Sequence, residues 1–354
     1  MRIALVDPLA YTPPYDHALA SALARQGHAV SLLTSRFPHG QVPEPDGYDR
    51  EELFAPVSTR FFRRAPGRLA LKAVEYPPSV ARLLRRVERL DPDVVHVQWL
   101  PRPEHDLRWL RRIADERPLV LTAHDVLPRR AKAQRVWADV LETAERVIVH
   151  SHRAVEQLVE QGLSRERIAR IPHPVFEGDE LPPPSGRTLL FFGLIRDYKG
   201  LDVLLEALPQ IPDARLVVAG DPLDPVQQVD LDGRVEWRLG FRPDDEVREL
   251  MSGAAAVVLP YRRLDSSGVL ATAIGYRRPV VVTDVGSLGE IVREFGAGEV
   301  VPPGDPQALA QATARLLEPK ALAAAHAGAG KAAAALTWAS SAAEHDRLYR
   351  EVRR

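Results

Sequence analysis

Leu189-Leu190-Phe191-Phe192-Gly193-Leu194-Ile195-Arg196-Asp197-Tyr198-Lys199-Gly200 carries the reading of this chain. An apolar run of strand length stops at Gly193. An Arg and a Lys follow three residues apart, just where an amphipathic helix (Leu201, Leu204, Leu205, Leu208) begins. Cations gain nothing from the positive end of a helix dipole. Two of them at a strand-to-helix turn are therefore placed to hold an anionic group such as a diphosphate. The plainer alternative is two solvated charges at a helix start.

The same alternation extends in both directions. Ile3–Val6, Val30–Thr34, Val94–Val97, Val120–Thr122 and Val147–Val149 read as buried strands, with helices at Asp16–Gln26, Val80–Leu90 and Val136–Ala144. Near-continuous Val, Ile and Leu suits parallel strands covered on both faces. The stretch Leu181-Pro182-Pro183-Pro184-Ser185-Gly186 then breaks the pattern. It restarts with strands at Leu189–Phe192, Leu216–Ala219, Val235–Trp237, Ala256–Leu259, Val280–Thr283 and Val300–Val301, and with helices at Val203–Leu208, Asp245–Met251 and Leu309–Leu317. The expected architecture is α/β: two Rossmann-like, doubly wound parallel-sheet domains at 1–175 and 187–335, joined by a linker at 176–186 and facing across a cleft. Residues 336–354 are expected to form a C-terminal helix that returns to the first domain. Ligands of such sheets bind at the carboxyl ends of the strands.

Bulk properties narrow the classes. A chain of 354 residues fits two domains, each able to bury a core. A net charge of -1 argues against bulk attraction to nucleic acid, which is not an expected partner. Zero cysteines exclude disulfides, thiolate nucleophiles and cysteine metal sites, and suit a reducing compartment. Met1-Arg2-Ile3-Ala4-Leu5-Val6-Asp7-Pro8 is too short an apolar run for a signal peptide. No stretch approaches the ~20 apolar residues of a membrane span. A cytoplasmic protein is expected.

The turn after Ile3–Val6 lacks the three glycines of a dinucleotide fingerprint, which disfavours a nicotinamide dehydrogenase and directs any nucleotide to the second domain. There, Pro260-Tyr261-Arg262-Arg263-Leu264-Asp265-Ser266-Ser267-Gly268-Val269-Leu270 again runs from strand to loop to helix. Ser266, Ser267 and Gly268 at a helix start can offer hydroxyl and N–H donors to phosphate, although Ser-Ser-Gly is also a common helix cap. His124 follows a buried strand, where it is either a cleft residue or a strand-end histidine satisfied by backbone. Glu290 either caps a helix or contacts a ligand. Asp7 and Tyr11, in the first strand-to-helix turn, suit acceptor contact and plain turn chemistry equally. His150, His152 and His173 show no metal-ligand spacing and read as loop histidines. Arg60-Phe61-Phe62-Arg63-Arg64-Ala65-Pro66-Gly67-Arg68 mixes cations with aromatics, which suits either a solvated basic loop or docking to a phosphate-bearing or membrane-embedded acceptor.

These motifs together resemble the retaining glycosyltransferases of family 4, of GT-B fold, over nearly the whole chain. The likeness rests on Phe192–Gly200, Val218-Ala219-Gly220, Leu239-Gly240-Phe241, Pro279-Val280-Val281-Val282-Thr283-Asp284-Val285-Gly286 with Glu290 following, and His124-Asp125. The resemblance implies a nucleotide-diphosphate sugar as donor, with no separate cofactor and no metal, because Arg196 and Lys199 would neutralise the diphosphate. It implies that Gly268 and Val269 hold the far phosphate, that Gly193 belongs to the donor-binding residues, that His124 contacts the donor sugar, and that a glycan, lipid-linked or small-molecule acceptor binds the first domain. A lipid-linked acceptor would bring peripheral association with the inner face of the membrane. One departure stands out. Counting back from Pro279, the family's paired glutamates would fall on Leu264 and Thr272, with Asp265 adjacent. Asp265 could serve the sugar after a one-residue loop shift, and Thr272 could make a weaker ribose contact, at a loss of roughly 1–2 kcal/mol. A catalytically impaired homologue that binds glycans or scaffolds a partner, or a disaccharide phosphorylase of the same fold, are the competing expectations.

Overall fold

The computed structural model describes residues 1–37, 41–60, 67–128 and 131–353. The chain forms two compact units. One comprises Met1–His150, Ala154–Pro172 and Trp338–Arg354; the other comprises Ser151–Arg153 and His173–Thr337.

In the first unit, β1 (Arg2–Asp7), β2 (Ala29–Ser35), β3 (Asp49–Phe54), β4 (Val94–Val97), β5 (Leu119–Thr122), β6 (Arg146–Val149) and β7 (Ile168–Arg170) form a sheet of order β3-β2-β1-β4-β5-β6-β7. All its pairings are parallel, with Leu5 of β1 opposite Leu32 on one side and His96 on the other. β1, β4 and β5 are buried along nearly their whole length, as doubly covered strands require. β3, Asp-Arg-Glu-Glu-Leu-Phe, is a half-exposed edge whose charges hide it from a hydrophobicity scan. The order reverses between β1 and β4, the switch point where open α/β sheets bind ligands.

The helix Arg68–Leu90 starts twelve residues before the expected Val80 and passes through Pro77 and Pro78. Those prolines leave the Ala73 and Val74 carbonyls without their usual donors. Burial of Leu83 and Val87, with Tyr76 beside them in the core, holds the helix in place. Residues 61–66 of the basic-aromatic segment lie outside the described residues. The helix Trp338–Val352 belongs to the first unit and buries Trp338, Ser341, Ala342, His345, Leu348, Tyr349 and Val352 on one face. It packs along the helix Pro13–Arg25, where the Trp338 and Tyr15 rings meet at 5.1 Å.

In the second unit, β8 (Thr188–Phe192), β9 (Arg215–Gly220), β10 (Val235–Leu239), β11 (Ala256–Leu259), β12 (Val280–Thr283) and β13 (Gly298–Val301) run in the order β10-β9-β8-β11-β12-β13, again all parallel. Its switch point lies between β8 and β11, so the turn at Gly193 and the loop after Leu259 are neighbours. The stretch expected as a free linker is instead part of this unit. Val175 N donates to Leu336 O at 2.8 Å, Leu181 is 4% exposed within the core, and the buried Arg278 donates to Pro182 O at 2.7 Å. Apolar residues among the prolines explain why the segment packs.

Candidate functional site

The second unit builds its site on the β8 turn. Gly193 has φ +100°, and a Cβ there would stand 2.9 Å from Val269 Cγ2 and 3.3 Å from Lys199 Nζ. Only glycine lets the turn pass, and the same spot brings the Lys199 ammonium beside the start of the helix Gly268–Gly275. The turn Asp197–Lys199 is followed by Gly200 at φ +69°, where a Cβ would meet Pro260 O at 2.1 Å. Arg262 N donates to Tyr198 O at 2.8 Å, which ties the loop after β11 to the turn after β8.

Three cations crowd this turn, and they differ in their partners. Arg262 is committed to Asp202, at 2.8 Å, and to Asp197 O. Arg196 is half-buried, and Lys199 is 7% exposed with its ammonium 5.3 Å from the centre of the Tyr261 ring. Among the described residues no carboxylate lies within ion-pair distance of either. Burial, and then the Arg196 charge, push the Lys199 pKa down to about 8. A desolvated ammonium at a helix N-terminus, with a second cation near enough to lower its pKa, suits an anionic group. A cavity of about 590 Å³ lies on the Arg196 side, but Asp197, Asp202, Glu206 and Asp224 line it, and that acidic wall repels a diphosphate.

Gly268 and Val269 open their helix, so their N–H groups have no intrahelical acceptor. Ser267 is spoken for: its hydroxyl caps the helix by accepting Leu270 N–H at 3.2 Å. Ser266 and Asp265 lie half-buried in the loop leading to it, and Asp265 O accepts Ser287 N–H at 2.8 Å. Thr272 donates its hydroxyl proton to Gly268 O at 2.9 Å and so keeps only lone pairs for a ribose. Leu264 packs against the apolar core. Glu290 caps a helix in this structure: its two carboxylate oxygens accept His152 N at 2.8 Å and Arg153 N at 2.9 Å.

The first unit gathers a different set at the switch point between β1 and β4. His124, 6% exposed, lies flat on Trp99 with ring centres 4.8 Å apart and planes 9° from parallel. Tyr15 meets it edge-on at 5.0 Å. Both ring nitrogens meet side chains, Nε2 with Gln98 Oε1 at 3.1 Å and Nδ1 with His150 Nε2 at 3.2 Å. His150, read from sequence as a loop histidine, is buried, and its Nδ1 meets Ile171 O at 2.8 Å. Asp7 turns inward to accept N–H groups from Leu9, Tyr11 and Thr12, the shortest at 2.6 Å. Burial raises its pKa, and burial with the neighbouring Asp7 charge raises that of Asp16 well above the carboxylate range. In this structure the Asp7 carboxylate serves its own turn. Tyr11 is 52% exposed, with its ring 5.4 Å from that of Trp99.

Sequence reasoning passed over Gln98 and Trp99 and took His150 for a loop histidine. The available signal was His96-Val97-Gln98-Trp99 leaving the carboxyl end of an apolar strand. The sequence also holds two Asp-x-Asp triplets, at 91–93 and 230–232. Asp91 is bound by Arg2 and Arg117, Asp93 by the Arg2 amide, and Asp230 by the Gly233 amide.

Two family profiles match the chain, Glycosyltransferase Family 4 over residues 15–176 and Glycosyl transferases group 1 over residues 186–319. A GDP-mannose:glycolipid 4-beta-D-mannosyltransferase of Xanthomonas campestris pv. campestris is 30% identical over 200 residues. That match covers 52% of this chain and 55% of the relative, so the matched part spans about half that protein. A phosphatidyl-myo-inositol mannosyltransferase of Mycolicibacterium smegmatis is 27% identical across 99% of this chain and 94% of its own. Among solved structures, a sucrose-phosphate synthase from Thermosynechococcus elongatus superposes with a TM-score of 0.76 at 21% identity, covering 99% of both chains, which is a likeness of fold.

Proposed function

The chain belongs to the family 4 glycosyltransferases of GT-B fold, transferases of the hexosyltransferase kind, and from that premise we propose that it moves a sugar from a nucleotide-diphosphate donor to a glycan, lipid-linked or small-molecule acceptor, with retention and without a metal ion. The observation that carries this reading is the buried Lys199 ammonium beside the start of the helix Gly268–Gly275, with Arg196 near enough to lower its pKa and no carboxylate within ion-pair distance of either among the described residues. In the reaction the bond from the anomeric carbon to the terminal phosphoryl oxygen breaks, and a bond to an acceptor oxygen forms. The hydroxyl proton passes to the departing diphosphate or to a base. Fixed cations and N–H dipoles lower the barrier by stabilising charge as it collects on the leaving group.

The mannosyltransferase relatives make GDP-mannose the first donor to try and a glycolipid the first acceptor. A lipid-borne acceptor would place the reaction at the cytoplasmic face of a membrane. No helix among the described residues is long and apolar enough to cross one.

The test is release of nucleoside diphosphate from a panel of nucleotide sugars. Arg196→Ala and Lys199→Ala should each lower turnover by ~100-fold or more, the scale of losing one preorganised donor. Wild-type turnover in both variants refutes the assignment. No turnover with any donor favours an impaired homologue, and sugar 1-phosphate formed from a glycoside and inorganic phosphate favours a phosphorylase. A second reading, transfer with inversion, draws support from the β linkage in the Xanthomonas relative's name and from Leu264 and Thr272 standing where retaining enzymes carry glutamates. The anomeric configuration of the product, read by NMR, decides between the two.

A further inference from the structure

The hydrogen-bond chain from Ile171 O through His150 and His124 to Gln98 can be wired in only one direction at its inner end. A carbonyl accepts, so the 2.8 Å contact with Ile171 O requires hydrogen on His150 Nδ1. His150 is 5% exposed, and burial holds its pKa down to about 4, which leaves Nε2 bare at neutral pH. The 3.2 Å contact with His124 Nδ1 therefore requires the hydrogen to sit on His124. At the outer end the Gln98 amide also meets His96, its Nε2 lying 3.3 Å from each ring nitrogen, and a neutral His96 has one nitrogen that accepts and one that donates. An amide 3.1 Å from His124 Nε2 presents either its oxygen or its NH₂ group, according to its rotation.

The ring faces offer no competing site, because Trp99 covers one face of His124 and Tyr15 stands edge-on to it. His96 and His345 are held neutral by burial, and the Tyr15 and Tyr349 hydroxyls are pushed up by it.

We infer that His150 is a positioning residue that fixes His124 as the Nδ1–H tautomer, so that exchange with a substrate hydroxyl is confined to His124 Nε2. The role rests on the transferase reading above. A hydroxyl that displaces Gln98 meets a lone pair and donates to it. His124 then acts toward substrate as an acceptor, the property a base for the acceptor hydroxyl needs.

The test reads the tautomer directly, by ¹⁵N–¹H long-range correlation on protein labelled at histidine, with His124→Gln identifying the resonance. Wild-type protein at pH 7.5 should show His124 protonated at Nδ1. In His150→Phe the ring should revert to the Nε2–H form that free imidazole side chains prefer, and kcat should fall at least tenfold with the donor KM within twofold. His150→Gln, whose side-chain oxygen can accept from Nδ1, should restore the Nδ1–H form and most of kcat. A His124 protonated at Nε2 in wild type, or a tautomer indifferent to His150→Phe, overturns the inference. If His150→Phe does not fold, the wild-type spectrum and His150→Gln still decide. The tautomer is independent of turnover, so wild-type rates in the Arg196 and Lys199 variants would sink the transferase reading alone.

Discussion

Lys199→Met removes a buried ammonium that pairs with no carboxylate among the described residues, and the structure sets the size of the effect. The Lys199 pKa falls from 10.5 to about 8, with desolvation as the larger cause and Arg196 the smaller. At ~1.36 kcal/mol per pKa unit, holding that charge inside costs about 3 kcal/mol at neutral pH. Met fills a similar volume and gives up the cation–π contact with Tyr261, roughly 1 kcal/mol. The ligand-free variant should therefore be more stable than the parent at pH 7, by about 2 kcal/mol. The sign follows from linkage: between about pH 8 and 10.5 the unfolded chain binds more protons at Lys199 than the folded one. Parental stability should thus climb across that window, and the variant should lack the climb. Affinity should move the opposite way, because a lost charge-assisted hydrogen bond of ~1.5–3 kcal/mol weakens a nucleoside diphosphate roughly ten- to a hundredfold. Urea unfolding at pH 7 and pH 10 without ligand, with calorimetric titration of GDP and UDP, measures both. A variant less stable than the parent at pH 7, or one that binds diphosphate equally well, refutes the picture of an unpaired cation waiting for its anion.

Thr272→Glu should tighten nucleoside diphosphate binding about tenfold in the same titration, by supplying a carboxylate acceptor for ribose hydroxyls worth roughly 1–2 kcal/mol. Glu290→Ala uncaps the amides of His152 and Arg153 and should lower the unfolding free energy by about 1–3 kcal/mol in urea, with no change in diphosphate affinity. Acid should be costly as well. His150 and His345 have pKa values lowered from 6.5 to about 4 by burial, so their contribution is complete above pH 6.5 and is lost as pH falls toward 4. Each should remove about 3 kcal/mol, visible as a falling urea midpoint that His345→Gln makes shallower.

The parallel strands were legible because burial on both faces writes itself as unbroken Val, Ile and Leu, as in Val280–Thr283 and Val94–Val97. β3 was not legible, since an edge strand tolerates Asp49, Arg50, Glu51 and Glu52. The Arg68–Leu90 helix hid its first half behind two prolines that tertiary packing overrides. At the β8 turn, Gly193 could be read because it answers to a local backbone demand, a left-handed φ with Val269 and Lys199 close by. The partners of His124 could not, because Gln98 and His150 reach it from two other strands and only sheet order brings the three together. Asp7, Ser267 and Glu290 each carried two local readings, and the hydrogen bonds of the structure show the turn or cap half of each.

The C-terminal helix has a consequence for how the protein is made. Trp338 and Tyr349 complete the packing around Tyr15 and His96, yet they are translated only after the whole of the second unit. At roughly 5–20 residues per second, a nascent first unit waits on the order of ten to thirty seconds after Pro172 for its closing piece. During that interval its sheet stands open on the ribosome with apolar surface uncovered. Premature termination anywhere in the second half would leave that surface exposed for good and hand the fragment to chaperones or proteases.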